Sequence, residues 1–175
     1  MAAQRSADLR IEALDALHDC AGFGCGEDSL ARYLKTQAGQ DVRRKANAVF
    51  ILIRPAEPAR ILGYYTLCAT ALAQGDVPEA ARRHVPRYPL VSATLIGRLA
   101  VVRERQGQGL GAVLLADALR RALLSADTVG SSMVVVDALD ARASAFYRAH
   151  GFLQLPESQR LVLPMRVIAE MLSRD

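Results

Sequence analysis

Gln106-Gly107-Gln108-Gly109-Leu110-Gly111 joins an apolar run, Leu95 to Val102, to a helix-like run, Leu110 to Leu124. Glycines at such a junction let backbone N–H groups face a ligand, and the helix start adds a partial positive charge. The chemistry on offer is the holding of a phosphate group, so the expected ligand is a nucleotide-like cofactor. Two phosphate loops can be weighed on the residues alone. The P-loop needs a lysine after its glycines, and none follows here. A dinucleotide fingerprint is met loosely by Gly107-x-Gly109-x-x-Ala112, with Asp137 ending the next strand as a candidate ribose acid. Against it stand the polar residues Arg103 to Gln106 between strand and first glycine, the short chain that follows, and a hairpin placed ahead of the loop.

The surroundings of the loop are basic. Arg82, Arg83, Arg87, Arg98, Arg103, Arg105, Arg120 and Arg121 face only Glu104 and Asp117, so this segment carries +6 while the chain carries +4. An anionic cofactor or a nucleic acid is the natural partner. The alternative is arginine-rich composition, since the chain has only two lysines, Lys35 and Lys45. Cys20, Cys25 and Cys68 form no CxxC pair, and His18, His84 and His150 are scattered. No metal-ligand spacing appears, so reduced thiols and no metal are expected.

These residues need elements to place them. Strands are expected over Leu9–Leu14, Ala48–Ile53, Ile61–Leu72, Leu95–Val102 and Met133–Val136, with short ones near Phe152–Leu155 and Leu161–Met165. Helices are expected from Asp28 or Ser29 to about Arg44, over Leu110–Leu124 with Asp117, Arg120 and Arg121 on a polar face, and from an Asp140 cap to Gly151. The second and third strands form a hairpin. The loop-bearing strand and Val134–Val136 are joined through a helix and should run parallel. The reading is one α/β (α+β) domain, residues 1–175, around a mixed sheet of about six to seven strands flanked by helices. No run approaches the ~18 apolar residues of a membrane span, and Met1 to Arg10 is polar without a signal-peptide core, so a cytoplasmic protein is expected.

Two motifs in this order carry a family resemblance. Gln106 to Gly111 fits Q/R-x-x-G-x-G/A, and Phe146-Tyr147-x-x-x-Gly151-Phe152 fits F-Y-x-x-x-G-F. The pair resembles the GNAT acetyltransferases. Three further segments are similar to the GNAT toxins of bacterial toxin–antitoxin pairs: Phe23-x-Cys25-Gly26-x-x-x-Leu30-x-x-Tyr33-Leu34, Gly63-Tyr64-Tyr65-x-Leu67, and Gly97-Arg98-Leu99-Ala100-Val101. The likeness runs from about Phe23 to Met165.

The resemblance implies an N-acetyltransferase that uses acetyl-CoA (coenzyme A) and acetylates the α-amine of aminoacyl-tRNA, with an antitoxin as partner. It implies that the backbone from Gln106 through Gly107, Gln108, Gly109, Leu110 and Gly111 to Ala112 holds the pyrophosphate. It further implies that Leu99, Ala100 and Val101 meet the pantetheine arm, that Phe146 and Asp140 belong to the cofactor site, and that Tyr147 is the general acid. Arg82, Arg83, Arg87 and Arg98 are the candidate RNA contacts, with a weaker claim for Arg43, Arg44 and Lys45. Arg98 sits in an apolar strand, where it either meets substrate or makes a structural ion pair or edge contact. No histidine or glutamate stands out as a base, which suits an α-amine already largely neutral near pH 7. The apolar tail Val167–Leu172 can pack on a second subunit. Two other readings stay open: a small-molecule or protein amine as acceptor, and a non-catalytic dinucleotide-binding module.

Overall fold

The computed structural model describes residues 8–175, so most of the polar stretch Met1 to Arg10 lies outside the described residues. The strands are β1 (Arg10–Ala13), β2 (Ala48–Ile53), β3 (Gly63–Ala73), β4 (Leu90–Val101), β5 (Met133–Asp137), β6 (Leu153–Gln154) and β7 (Arg160–Pro164). The helices are α1 (Asp28–Thr36), α2 (Ala38–Arg43), α3 (Glu79–Arg82), α4 (Leu110–Ala126), α5 (Ala141–Ala149) and α6 (Met165–Leu172). The strands form a seven-stranded sheet in the order β1-β2-β3-β4-β5-β7-β6. β4 and β5 are parallel, from Ala93↔Met133 to Ile96↔Val136, while β1–β2, β2–β3, β5–β7 and β6–β7 are antiparallel. The sheet is therefore mixed, and the expected hairpin and parallel pair are both present. By contacts the chain divides into two compact units, one running to Leu67 with Arg98–Asp117 added, the other of Cys68–Gly97 and Ala118–Asp175.

In the first unit, β2 is apolar enough to bury Ile51, Leu52 and Ile53 completely. α1 turns Ala31, Tyr33 and Leu34 inward at helical spacing. Phe23 meets Tyr64 edge to face at 5.6 Å, and the Tyr64 hydroxyl donates to the Leu30 carbonyl at 2.6 Å. The single helix expected to reach Arg44 breaks at Gln37, whose φ of −124° leaves the helical region; Gly39, a poor helix former, follows two residues on. The cap is Glu27, one residue before the expected Asp28, which instead places its acid in the first turn against the helix dipole. Gly63 is required by packing. A Cβ there would lie 2.8 Å from the Ala100 carbonyl oxygen and 2.9 Å from Leu114 Cδ1.

In the second unit, β5 is buried on both faces through Met133–Val136, as a β-branched run between two strands should be. Leu72, Val77, Ala81, Val85, Val91, Ala93, Met133, Val135, Leu155 and Val162 form one core cluster. β4 begins at Leu90, earlier than expected, because Val91 and Ala93 alternate inward past the polar Ser92. α6 buries Met165 and Ile168 within this unit, so the part of the tail left for another subunit is Val167, Met171 and Leu172, all half-buried. Among the described residues no helix is long and apolar enough to cross a membrane, and no three His, Cys, Asp or Glu side chains gather as metal ligands.

Candidate active site

The loop after β4 is built by its own side chains. One 3-10 turn, Arg103–Arg105, leaves the strand, and the Arg103 amide donates to the Gly24 carbonyl at 2.9 Å. Gln106 Nε2 donates to the Val101 carbonyl at 3.0 Å and to the Cys25 carbonyl at 2.7 Å. Its amide nitrogen thus clamps the loop to the end of β4 and to the glycine-rich segment before α1. Gly107 (φ +76°) and Gly109 (φ +82°) follow in the left-handed region, where a side chain is strained. A Cβ at either would meet nothing within 4 Å, so the backbone is open on that side. Between them Gln108 Oε1 accepts from Arg105 Nε at 3.0 Å.

α4 then starts at Leu110, with the Val113 amide bonding the Gly109 carbonyl at 3.2 Å. The N–H groups before Val113 have no carbonyl one turn back to bond. Left-handed glycines leading into a long helix form a concavity of N–H donors, which fits a pyrophosphate. On β4, Leu99 and Val101 are half-exposed while Ala100 between them is buried, so the two share the accessible face.

Arg98 packs against an aromatic ring. Its guanidinium carbon sits 3.5 Å from the centroid of the Tyr33 ring. Tyr33 is fixed in turn, its hydroxyl donating to Asp41 Oδ2 at 2.8 Å. Asp41 also accepts from Gln37 Nε2 at 2.9 Å and Asn47 Nδ2 at 3.0 Å. Those three hydrogen bonds, Gln37 first, hold its carboxyl below the usual range, while burial, then the bond to Asp41, pushes the Tyr33 phenol up to about 12. On α4, Asp117 does not lie on a solvated polar face. It is buried and accepts from the Tyr65 hydroxyl at 2.6 Å.

In the second unit α5 carries Tyr147. Asp140 caps this helix, its Oδ1 accepting the Ala143 amide at 2.8 Å, so the side chain named as a cofactor residue is engaged in helix initiation. Gly151, at φ +94°, ends the turn. Tyr147 is only 7% exposed and lies edge-on between Phe146 and Phe152, at 5.2 and 5.5 Å. Burial pushes its phenol up to about 12. Among the described residues Thr66 Oγ1 is the one buried side-chain oxygen or nitrogen without a partner. Among the described residues Tyr147 Oη meets no hydrogen-bond partner.

Among the remaining arginines, Arg82 donates to the Val77 and Gly75 carbonyls at 2.9 and 3.4 Å, Arg83 Nε donates to His84 Nε2 at 3.1 Å, and Arg87 is exposed. Asp137 is gripped by Arg160 through two bonds of 2.8 and 2.9 Å, an ion pair that ties β5 to β7. The acid on which a dinucleotide reading depends is therefore already engaged. Sequence reasoning did not find the Gln106 clamp or the Tyr33–Asp41 support of Arg98. A charge inside an apolar strand was the one signal pointing toward the latter.

The family described as Acetyltransferase (GNAT) domain matches residues 51–154. A curated relative, a tRNA-acetylating toxin of Mycobacterium tuberculosis (strain ATCC 25618 / H37Rv), is 37% identical over 142 residues, 81% of this chain and 81% of that one. A solved structure of AtaT complexed with acetyl-methionyl-tRNAfMet is 34% identical with a TM-score of 0.86, covering 94% of this chain and 99% of AtaT. A tyrosine-to-phenylalanine variant of AtaT, bound to the C-terminus of the antitoxin AtaR and acetyl-CoA, is 32% identical with a TM-score of 0.80, covering 95% and 99%. A family match over more than half of the residues, joined by these relatives along nearly the whole length, means that this chain belongs to the GNAT acetyltransferase family.

Proposed function

We propose that the protein is a toxin that transfers the acetyl group of acetyl-CoA to the α-amine of aminoacyl-tRNA and so blocks translation, with an antitoxin as its partner. The observation that carries the reading is AtaT, alike in fold at a TM-score of 0.86 and solved with acetyl-methionyl-tRNA. The antitoxin partner and the donor follow from the AtaT complex with AtaR and acetyl-CoA. Residues 1–175 serve as one acetyltransferase domain, and a charged-tRNA substrate assigns the protein to the cytoplasm.

The bound donor supplies an activated acetyl thioester. The N–H groups from Gly107 to Ala112 hold its pyrophosphate, and Leu99, Ala100 and Val101 position its arm. The α-amine nitrogen forms a bond to the acetyl carbon, the carbon–sulfur bond breaks, and water takes the amine's surplus proton. Tyr147 Oη donates a hydrogen bond to the departing sulfur. With the phenol near 12 and a thiol near 8.5, complete proton transfer would be uphill by ~5 kcal/mol. Tyr147 therefore acts as a donor that stays protonated, and the thiolate takes its final proton from solvent. Phe146 walls the ring, and Asp140 fixes the helix that carries both. Arg82, Arg83, Arg87 and Arg98 face the RNA.

Incubation with labelled acetyl-CoA and charged tRNA tests the proposal. Label on the aminoacyl end is the expected outcome. Acetyl-CoA binding without that label gives the amine to another molecule, and binding of NAD alone removes the enzyme reading.

A further inference from the structure

Arg98 differs from the other arginines proposed as RNA contacts: Arg87 is exposed. Arg82 gives its donors to backbone carbonyls, and Arg83 bonds His84. Arg98 is half-buried, and among the described residues it has no hydrogen-bond acceptor and no carboxylate within salt-bridge distance; its one close partner is the Tyr33 ring. A guanidinium carries five N–H donors, and withdrawing it from water without acceptors is unfavourable. Seating it on an aromatic face fixes its place and leaves its edge donors free, an arrangement suited to two oxygens of one anion.

The seat is itself rigid. Tyr33 is buried and stacks on Tyr64 at 6.4 Å and 15°. Its hydroxyl is tied to Asp41, and Asp41 satisfies its oxygens with Gln37, Asn47 and Tyr33. Asp41 accepts from those three neutral donors and lies beyond salt-bridge distance of Arg98, so it supports the ring and leaves the arginine's donors available. Asp41 and Arg98 both act on the Tyr33 phenol through their charge.

We infer that Arg98 is the seat of one backbone phosphate of the RNA substrate, with Tyr33 as the positioning residue that aims it. That the anion belongs to RNA rests on the tRNA reading above. The contact chemistry, a guanidinium fork on a phosphate, is shared with the phosphates of the cofactor, so the experiment separates the two sources.

Binding of deacylated tRNA is measured against salt concentration, beside calorimetry of acetyl-CoA, for the full chain and for Arg98→Gln, Arg98→Lys, Tyr33→Phe and Tyr33→Leu. Arg98→Gln is expected to weaken tRNA binding by about tenfold at low salt and to lower the slope of log K against log salt by about one, leaving acetyl-CoA affinity unchanged. Arg98→Lys keeps the slope and loses affinity, because an ammonium lacks the planar fork. Tyr33→Phe keeps the ring and stays near wild type, whereas Tyr33→Leu lowers affinity like Arg98→Lys while circular dichroism shows an intact fold. An unchanged slope in Arg98→Gln overturns the inference. So does lost acetyl-CoA affinity with tRNA binding intact, which gives the phosphate to the cofactor. The readout needs no acetyl transfer, so failure of the wild-type protein to acetylate charged tRNA is a separate result that bears on the function alone.

Discussion

Tyr147 joins a buried ring to a hydroxyl that meets no partner among the described residues, and the proposed mechanism rests on that hydroxyl. Tyr147→Phe removes one oxygen from a site whose ring contacts with Phe146 and Phe152 remain. The expected outcome is a fall in kcat of about 10²-fold or more with acetyl-CoA affinity and melting temperature near wild type. Stopped or burst kinetics on charged tRNA, beside calorimetry, check both halves. Because the phenol is pushed up to about 12, the wild-type kcat should show no alkaline fall near pH 10 of the kind an ordinary tyrosine would give. At this scale the sequence was readable where chemistry was local. Tyr147 stands beside its aromatic neighbour and ahead of Gly151-Phe152 in one short motif. Arg98 was conspicuous as a charge in an apolar strand, yet its partner Tyr33 lies on a distant helix, and no spacing rule links them.

The glycine loop is an element whose proposed role rests on its backbone. Gly109→Ala meets no steric obstacle, since space around its Cβ is open, but its φ of +82° costs a side chain roughly 1 kcal/mol. The loop is expected to relax toward negative φ, turning its N–H groups away from the pyrophosphate. Acetyl-CoA affinity should then fall by about tenfold or more while the protein stays folded, as titration calorimetry and thermal melting would show. The hairpin, the parallel β4–β5 pair and the α5 cap were legible, because each follows from periodicity or turn chemistry. The break at Gln37 and the early start of β4 were not. The first depends on side chains converging on Asp41, and the second on strand pairing that admits Ser92 and Thr94 into an otherwise apolar pattern. Asp117 was misplaced for a related reason. Helical spacing puts it on a solvated face with Arg120 and Arg121, yet it is buried and accepts from a tyrosine on β3.

For the whole molecule, buried phenols tie stability to alkaline pH. Burial raises the pKa of Tyr33, Tyr64 and Tyr147, the first and last to about 12. Each is held neutral in the fold, while in the unfolded chain it ionises near its ordinary value of ~10. Their contribution is therefore complete below pH 10 and is lost as pH rises from about 10 through 12, as the unfolded state sheds protons first. Melting temperature should be level up to about pH 9 and then fall steeply, in step with the ultraviolet signal of tyrosinate. Gly63 acts on the same global balance in another way. The missing methyl group is what lets β3 approach the Ala100 carbonyl and Leu114, and Gly63→Ala should cost about 1–3 kcal/mol through overpacking. For a chain acting as the proposed toxin, such a loss becomes heritable behaviour. A cell carrying Gly63→Ala should stop dividing when cool and resume when warmed, and colonies that survive forced expression at higher temperature should be enriched in replacements of this glycine, although it bears no reactive group.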